Sequence, residues 1–158
     1  MINKEHKYHT IIEWTGNKGA GTSGYHAYGR DHQVSVYGKE TIRASSDPAY
    51  LGDPTLYNPE ELFVISVSSC HMLWYLHLCS DSNIIVENYQ DKAVGILKED
   101  GERGGKFTSI VLKPKILVRN GSDLALAMEL HDKAHEKCFI ANSCKVVITI
   151  EAEIREAD

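Results

Sequence analysis

One run of the chain restricts the fold more than any other: residues 58–80, NPEELFVISVSSCHMLWYLHLCS. Asn58 is a favoured N-cap, Pro59 suits the first helical position, and Glu61 can reach back to the cap amide as in a capping box. Glu60 and Glu61 complement the positive end of the helix dipole. From Leu62 to Cys79 no residue carries a full charge, apart from any proton on His71 and His77. Apolar side chains fall on nearly every face, which predicts a long central helix buried by the rest of the protein. The run approaches the roughly 20 residues that span a bilayer. Ser66, Ser68, Ser69, His71 and His77 would be costly in lipid, so a core helix is expected and no membrane partner. Near the middle of this helix stands Cys70.

The chain has 158 residues, enough for one domain, 1–158, with its own core. A net charge of −5 argues against nucleic acid as a partner. The opening MINKEHKYHT shows no apolar run, so no signal peptide is expected and the cytoplasm is the expected compartment. Cys70, Cys79, Cys138 and Cys144 form no C-x-x-C pair. A disulfide scaffold is therefore not expected, and reactive thiols, metal ligands and plain core cysteines stay open.

The remaining elements follow from periodicity and turn chemistry. Residues 7–14 read as a strand ended by Thr15-Gly16. Gly19, Gly21 and Gly24 match G-x-G-x-x-G, but the following segment alternates like a strand at Gln33–Tyr37, so a loop is predicted and not a dinucleotide site. Thr41–Ser45 reads as a short strand and 46–57 as a loop with two Asp-Pro pairs. Beyond the central helix, Asn83–Lys98 reads as one long strand with Gly95 as a bulge. EDGERGG, 99–105, reads as a hairpin turn and Phe107–Arg119 as its partner strand. Thr108, Ile110, Leu112, Pro114, Ile116 and Val118 share one face of that strand, and Pro114 requires an edge or a bulge. A second helix, capped by Ser122, presents Leu124, Ala127, Met128, His131, Ala134 and Cys138 as a stripe. A last strand, Lys145–Ile154, alternates apolar and polar residues. The fold class predicted is α+β, with antiparallel sheet packed on the central helix.

Two constellations could carry chemistry. Cys70 and Cys138 lie on two helices that share one core, so their thiols could meet. A peroxide-reducing site needs an attacking thiolate and a second thiol to resolve the sulfenic acid. The attacking thiol needs a cation to ionise below its free pKa of about 8.5. Arg30 is the best candidate, with Arg43 as the second. Considered physically, two structural cysteines account for the pattern as well as a redox pair does. The other constellation is a metal site from Cys70, His71, His131, His135 and Cys138, which lacks the C-x-x-C or H-E-x-x-H spacing. Cys79 points away from Cys70 on the helix, and with Cys144 reads as structural.

NPEELFVISVSSC resembles the signature of OsmC/Ohr-type proteins, in which an N-P-E-x-L helix start precedes a cysteine ten residues after the glutamate, here Glu60 and Cys70. Ala134 to Cys138 resembles the family's second signature, A-x-x-x-C. The stretches CHMLWYL and AHEKCFIANS resemble an uncharacterised OsmC-like branch. The resemblance implies an OsmC-like fold, an intertwined homodimer, and reduction of organic hydroperoxides at the expense of a dithiol. It implies Cys70 as the peroxidatic thiol, Cys138 as the resolving thiol and an arginine–glutamate pair beside Cys70. Glu60 matches that glutamate directly, and Arg30, or else Arg43, stands for the arginine. Neither cofactor nor metal is implied. Two residues depart from the family pattern: Phe139 follows Cys138 where proline is common, and His71 follows Cys70. Helix rise adds a constraint, since ten residues span about 15 Å. Glu60 therefore serves Cys70 only from a partner subunit. A binding protein that keeps the fold and takes an apolar ligand is the alternative.

Overall fold

The computed structural model describes residues 4–101 and 104–157. Its contacts group into two compact units, the first ending at Leu62 and the second beginning at Phe63.

In the first unit, β1 (Ile11–Trp14), β2 (His32–Ser35) and β3 (Ile42–Ala44) form an antiparallel meander, with Ile11 opposite Ser35 and Gln33 opposite Arg43. The glycine-rich segment between β1 and β2 is a loop. Asn17 Oδ1 accepts the amides of Gly19 and Gly21, at 2.9 and 3.1 Å. Gly16 is required by close approach, because a Cβ there would stand 2.1 Å from the Gly29 carbonyl oxygen. With a strand after the loop, the dinucleotide pattern lacks its helix.

Helix α1 (Pro59–Asp81) begins as expected: Asn58 Oδ1 accepts the Glu61 amide at 2.8 Å, and Glu61 Oε2 accepts the Asn58 amide at 3.1 Å. It ends at Asn83, whose φ of 56° lets the Ile84 amide return to the Cys79 carbonyl at 2.9 Å. The helix is long and apolar enough to cross a bilayer by length and composition alone. Its stripe Val67, His71, Tyr75 and Cys79 is nevertheless packed into the protein's own core. The all-round burial expected of it is corrected: Leu73 is 62% exposed and Ile65 47%. The buried stripe lies on one face of the helix, and Ile65 and Leu73 lie on the other.

The second unit departs from the three long strands read in the sequence, because each of them breaks. Asn83–Lys98 becomes β4 (Val86–Asp91) and β5 (Val94–Asp100). Phe107–Arg119 becomes β6 (Gly104–Leu112) and β7 (Pro114–Val118), and the last strand becomes β8 (Val147–Ile150) and β9 (Glu153–Glu156). Two three-stranded sheets result, β4–β7–β9 and β5–β6–β8. The breaks lie at one level, where Asp91 faces Pro114 and Ile150 faces Leu112. Pro114 cannot donate to a ladder, and the Lys113 amide bonds the Asp91 carboxylate at 2.7 Å instead of a strand. The burial alternation of Ile110, Leu112, Pro114, Ile116 and Val118 passes through the break intact. β8 and β9 run parallel to β6 and β7, so the sheets are mixed, because the intervening helix returns the chain in the same direction. The register shift in β5 lies between Ile96 and Leu97, not at Gly95. Glycine at 95 serves packing, since a Cβ would meet Val64 Cγ2 at 2.6 Å and Phe107 Cε1 at 2.7 Å. Glu102 and Arg103 of the expected hairpin turn lie outside the described residues.

α2 (Leu124–Lys137) is capped by Asp123, whose carboxylate accepts the Leu126 amide at 2.9 Å. Ser122, the expected cap, instead donates to the Arg119 carbonyl at 2.6 Å. The buried stripe of α2 is Ala127, Leu130, His131 and Ala134, leading to Cys138, while Leu124 and Met128 are exposed. The expected link 139–143 contains a one-turn helix, α3 (Phe139–Asn142). Two apolar clusters form the core of this unit. Tyr75, Cys79, Ile116, Val118, Leu130 and Ala134 join α1 and α2 to β7. Val67, Ile110 and Leu112 join α1 to β6.

Candidate functional site

The structure brings Cys70 and Cys138 together. Cys70 sits midway along α1 and is half-buried, and Cys138 is fully buried where α2 passes into α3. The two free thiols lie close enough for Cys70 to act on the Cys138 thiol. Cys138 is held by its backbone as well: its amide bonds the His135 carbonyl at 3.2 Å, and its Sγ accepts the Ala141 amide at 3.4 Å. Burial, and then the hydrogen bond with Cys70, push the Cys138 thiol up to about 11.

Aromatic residues flank this end of α2. Trp74 of α1 meets Phe139 edge to face at a centroid distance of 5.7 Å, and Lys137 Nζ lies 5.6 Å above the Trp74 ring. Phe139, which follows Cys138, is 68% exposed. Phe63 is instead turned onto Phe107, 5.2 Å away, against the β5–β6–β8 side. Met72 lines a groove with Val64, Ile65, Ser68 and Ala93.

A second pair was not foreseen. His71, next to Cys70, and His131, on the buried stripe of α2, face each other with Nε2 and Nδ1 2.9 Å apart and ring planes within 8°. Tyr75 stacks on His131 at 4.0 Å. Burial depresses both imidazoles, His71 to about 4 and His131 to about 3; the charge of His135 adds to the effect on His71, and that of His71 to the effect on His131. Both are therefore neutral near pH 7. The available signal was His131 within an otherwise apolar stripe. Read alone, it suggested a metal ligand.

Among the described residues, no three His, Cys, Asp or Glu side chains cluster as a metal site, so the ligand set considered from Cys70, His71, His131, His135 and Cys138 does not assemble. Cys79 is buried, and Cys144 donates to the Ala141 carbonyl at 3.3 Å.

Arg30 and Glu60 belong to the first unit. Arg30 donates to the carbonyls of Tyr28 and Tyr25, at 2.6 and 2.8 Å, and lies between their rings at 4.2 and 4.4 Å. Asp31, the next residue, accepts the Ser45 hydroxyl at 3.0 Å. Arg30 is thus held by neutral groups, and among the described residues it forms no ion pair. Arg43 is exposed and contributes to holding the Asp53 carboxyl low, after the hydrogen bonds from Thr55. Glu60 is half-buried in the first turn of α1.

The model of the OsmC-like protein family matches residues 52–153. The chain belongs to the OsmC-like family. An OsmC-like protein of unknown function from Vibrio cholerae is 32% identical, with a TM-score of 0.84 over 94% of this chain and 100% of that one. An OsmC-family structure from Legionella pneumophila, described as an organic hydroperoxide resistance protein, is 21% identical with a TM-score of 0.66, covering 95% and 98%. The organic hydroperoxide resistance protein OhrB of Bacillus subtilis is 19% identical with a TM-score of 0.62, covering 94% and 98%. These last two share the OsmC-like fold with the chain. No curated relative matches its sequence.

Proposed function

We propose that this OsmC-like protein is a thiol-dependent peroxidase that reduces organic hydroperoxides through Cys70 and Cys138. The observation that carries the reading is the contact between these thiols, one half-buried and one enclosed. The roles follow from that difference. Cys138, its thiol pushed up to about 11, stays protonated near pH 7 and suits the later, resolving step. Cys70 is the accessible member and attacks first. Its thiolate takes the distal oxygen of R–O–OH, the O–O bond breaks, and the alkoxide leaves as R–OH after taking a proton. Cys138 then attacks the Cys70 sulfenic acid, the S–O bond breaks, water leaves, and a Cys70–Cys138 disulfide forms. A cellular dithiol restores both thiols by exchange and becomes a disulfide itself.

Arg30 is assigned to stabilise the Cys70 thiolate, with Arg43 as the alternative, and Glu60 to orient the arginine. The reading places Glu60 on the partner of a cytoplasmic homodimer, because ten helical residues separate it from the Cys70 of its own chain. The apolar face of α1 with Ile65 and Leu73 supports a second copy as its cover. Trp74 and Phe139, beside Cys138, favour an apolar R group over hydrogen peroxide.

The test is consumption of cumene hydroperoxide under a small dithiol. Wild type is expected to turn over, Cys70→Ser to be inactive, and Cys138→Ser to stall or over-oxidise at Cys70. Inactive wild type with unoxidised thiols would overturn the reading in favour of a non-catalytic protein that binds an apolar ligand.

A further inference from the structure

The mechanism uses the two thiols and leaves His71 and His131 unassigned. Their placement ties them to the thiols. His71 is the next residue after Cys70 on α1, and His131 precedes Cys138 by two turns on the buried face of α2. The Nε2–Nδ1 hydrogen bond and the Cys70–Cys138 contact thus join the same two helices. One ring must donate and the other accept. The remaining nitrogens, His71 Nδ1 and His131 Nε2, are buried without hydrogen-bond partners among the described residues. A leucine pair would fill this space without leaving buried nitrogens unsatisfied. What two leucines would not supply is direction: a hydrogen bond fixes separation and register between helices, whereas apolar contact lets them slide.

We propose that His71 and His131 are positioning residues, a hydrogen-bonded clamp that holds α1 and α2 at the register in which Cys138 meets Cys70. The clamp raises the effective concentration of one thiol toward the other. It thereby favours closing the disulfide over further oxidation of the Cys70 sulfenic acid. This assignment rests on the peroxidase reading for its purpose but not for its measurement.

The experiment has two arms. The first needs no peroxide: the protein is equilibrated with reduced and oxidised glutathione, and the Cys70–Cys138 disulfide is quantified. In that exchange both cysteines lose their thiol protons to two released glutathiones, and the oxidant's disulfide is reduced. The double variant His71→Leu/His131→Leu removes the bond and keeps apolar volume. It is expected to lower the effective concentration about tenfold, the loss of one well-placed hydrogen bond. His71→Gln, whose amide reaches the Nε2 position, is expected to restore most of it. Should the double variant not fold, His131→Phe keeps the stack on Tyr75, loses the bond, and is expected to show the same fall. A folded variant without the bond that retains the wild-type value overturns the proposal. The second arm adds one equivalent of cumene hydroperoxide and reads disulfide against over-oxidised Cys70. Variants are expected to shift toward over-oxidation. A wild type that fails to react in this arm rejects the peroxidase reading alone, since the glutathione arm still decides the clamp.

Discussion

The carboxylate of Asp91 accepts the backbone amide of Lys113 at 2.7 Å, one residue before Pro114. Its other oxygen accepts the Ser68 hydroxyl of α1 at 2.5 Å. One side chain thus supplies the acceptor that the strand break removes and fastens the helix beside it. Asp91→Ala leaves an amide and a hydroxyl without that acceptor, and is expected to lower stability by about 2–3 kcal/mol in urea unfolding. Asp91→Asn, which keeps one acceptor oxygen, is expected to lose less. An alanine variant as stable as wild type would show that water replaces both bonds.

The histidine pair is expected to contribute to the acid side of the stability curve. Above the ordinary histidine pKa of 6.5 the rings are neutral in both states. Below it the unfolded chain takes up protons, while the fold resists until about 4 at His71 and about 3 at His131. Stability therefore falls with pH across that window, by roughly 1.4 kcal/mol per pH unit per histidine. On His71 the His135 charge deepens this depression and the Asp91 carboxylate relieves part of it. Urea midpoints measured down to about pH 4.5 are expected to drop steeply for wild type and to flatten in His71→Leu/His131→Leu. Equal slopes in the two proteins would assign the acid loss to other groups.

Gly95 has no room for a methyl group between Val64 and Phe107. Gly95→Ala is expected to cost about 1–3 kcal/mol by overpacking. Thermal unfolding checks this, and pairing it with Val64→Ala is expected to recover part of the loss. No recovery would place the strain in the backbone of β5.

Leu73 tests the second copy directly. Leu73→Lys puts a charge on a position 62% exposed in the single chain, so the isolated subunit should tolerate it. Sedimentation equilibrium is expected to show a shift from dimer to monomer, with peroxidase activity falling in parallel. A fully active monomer would remove Glu60 of a partner from the mechanism.

The sequence disclosed these parts unevenly, for physical reasons. The cap at Asn58, the loop at 16–24 and the face from Thr108 to Val118 were legible, because local hydrogen bonding and a period of two leave direct marks. The breaks in the three long strands were not, since the alternation runs through Lys113 undisturbed and Pro114 alone signalled an interruption. Leu130 was missed on α2 and Met128 wrongly placed on its buried face, a shift of half a turn that an apolar stripe tolerates. Cys70 and Cys138 could be nominated from two separate helix motifs, but their meeting depends on tertiary packing. The His71–His131 bond, between residues sixty positions apart, depends on it wholly.

Cys138 closes α2 and opens α3 with one residue, and its sulfur is the acceptor for the Ala141 amide. Removing the sulfur therefore removes a structural support along with the proposed resolving thiol. Serine offers an oxygen to the same amide and is a good helix start, whereas alanine offers nothing. An alanine scan would charge to chemistry a defect that belongs to the backbone, so at position 138 serine is the substitution that keeps the two apart.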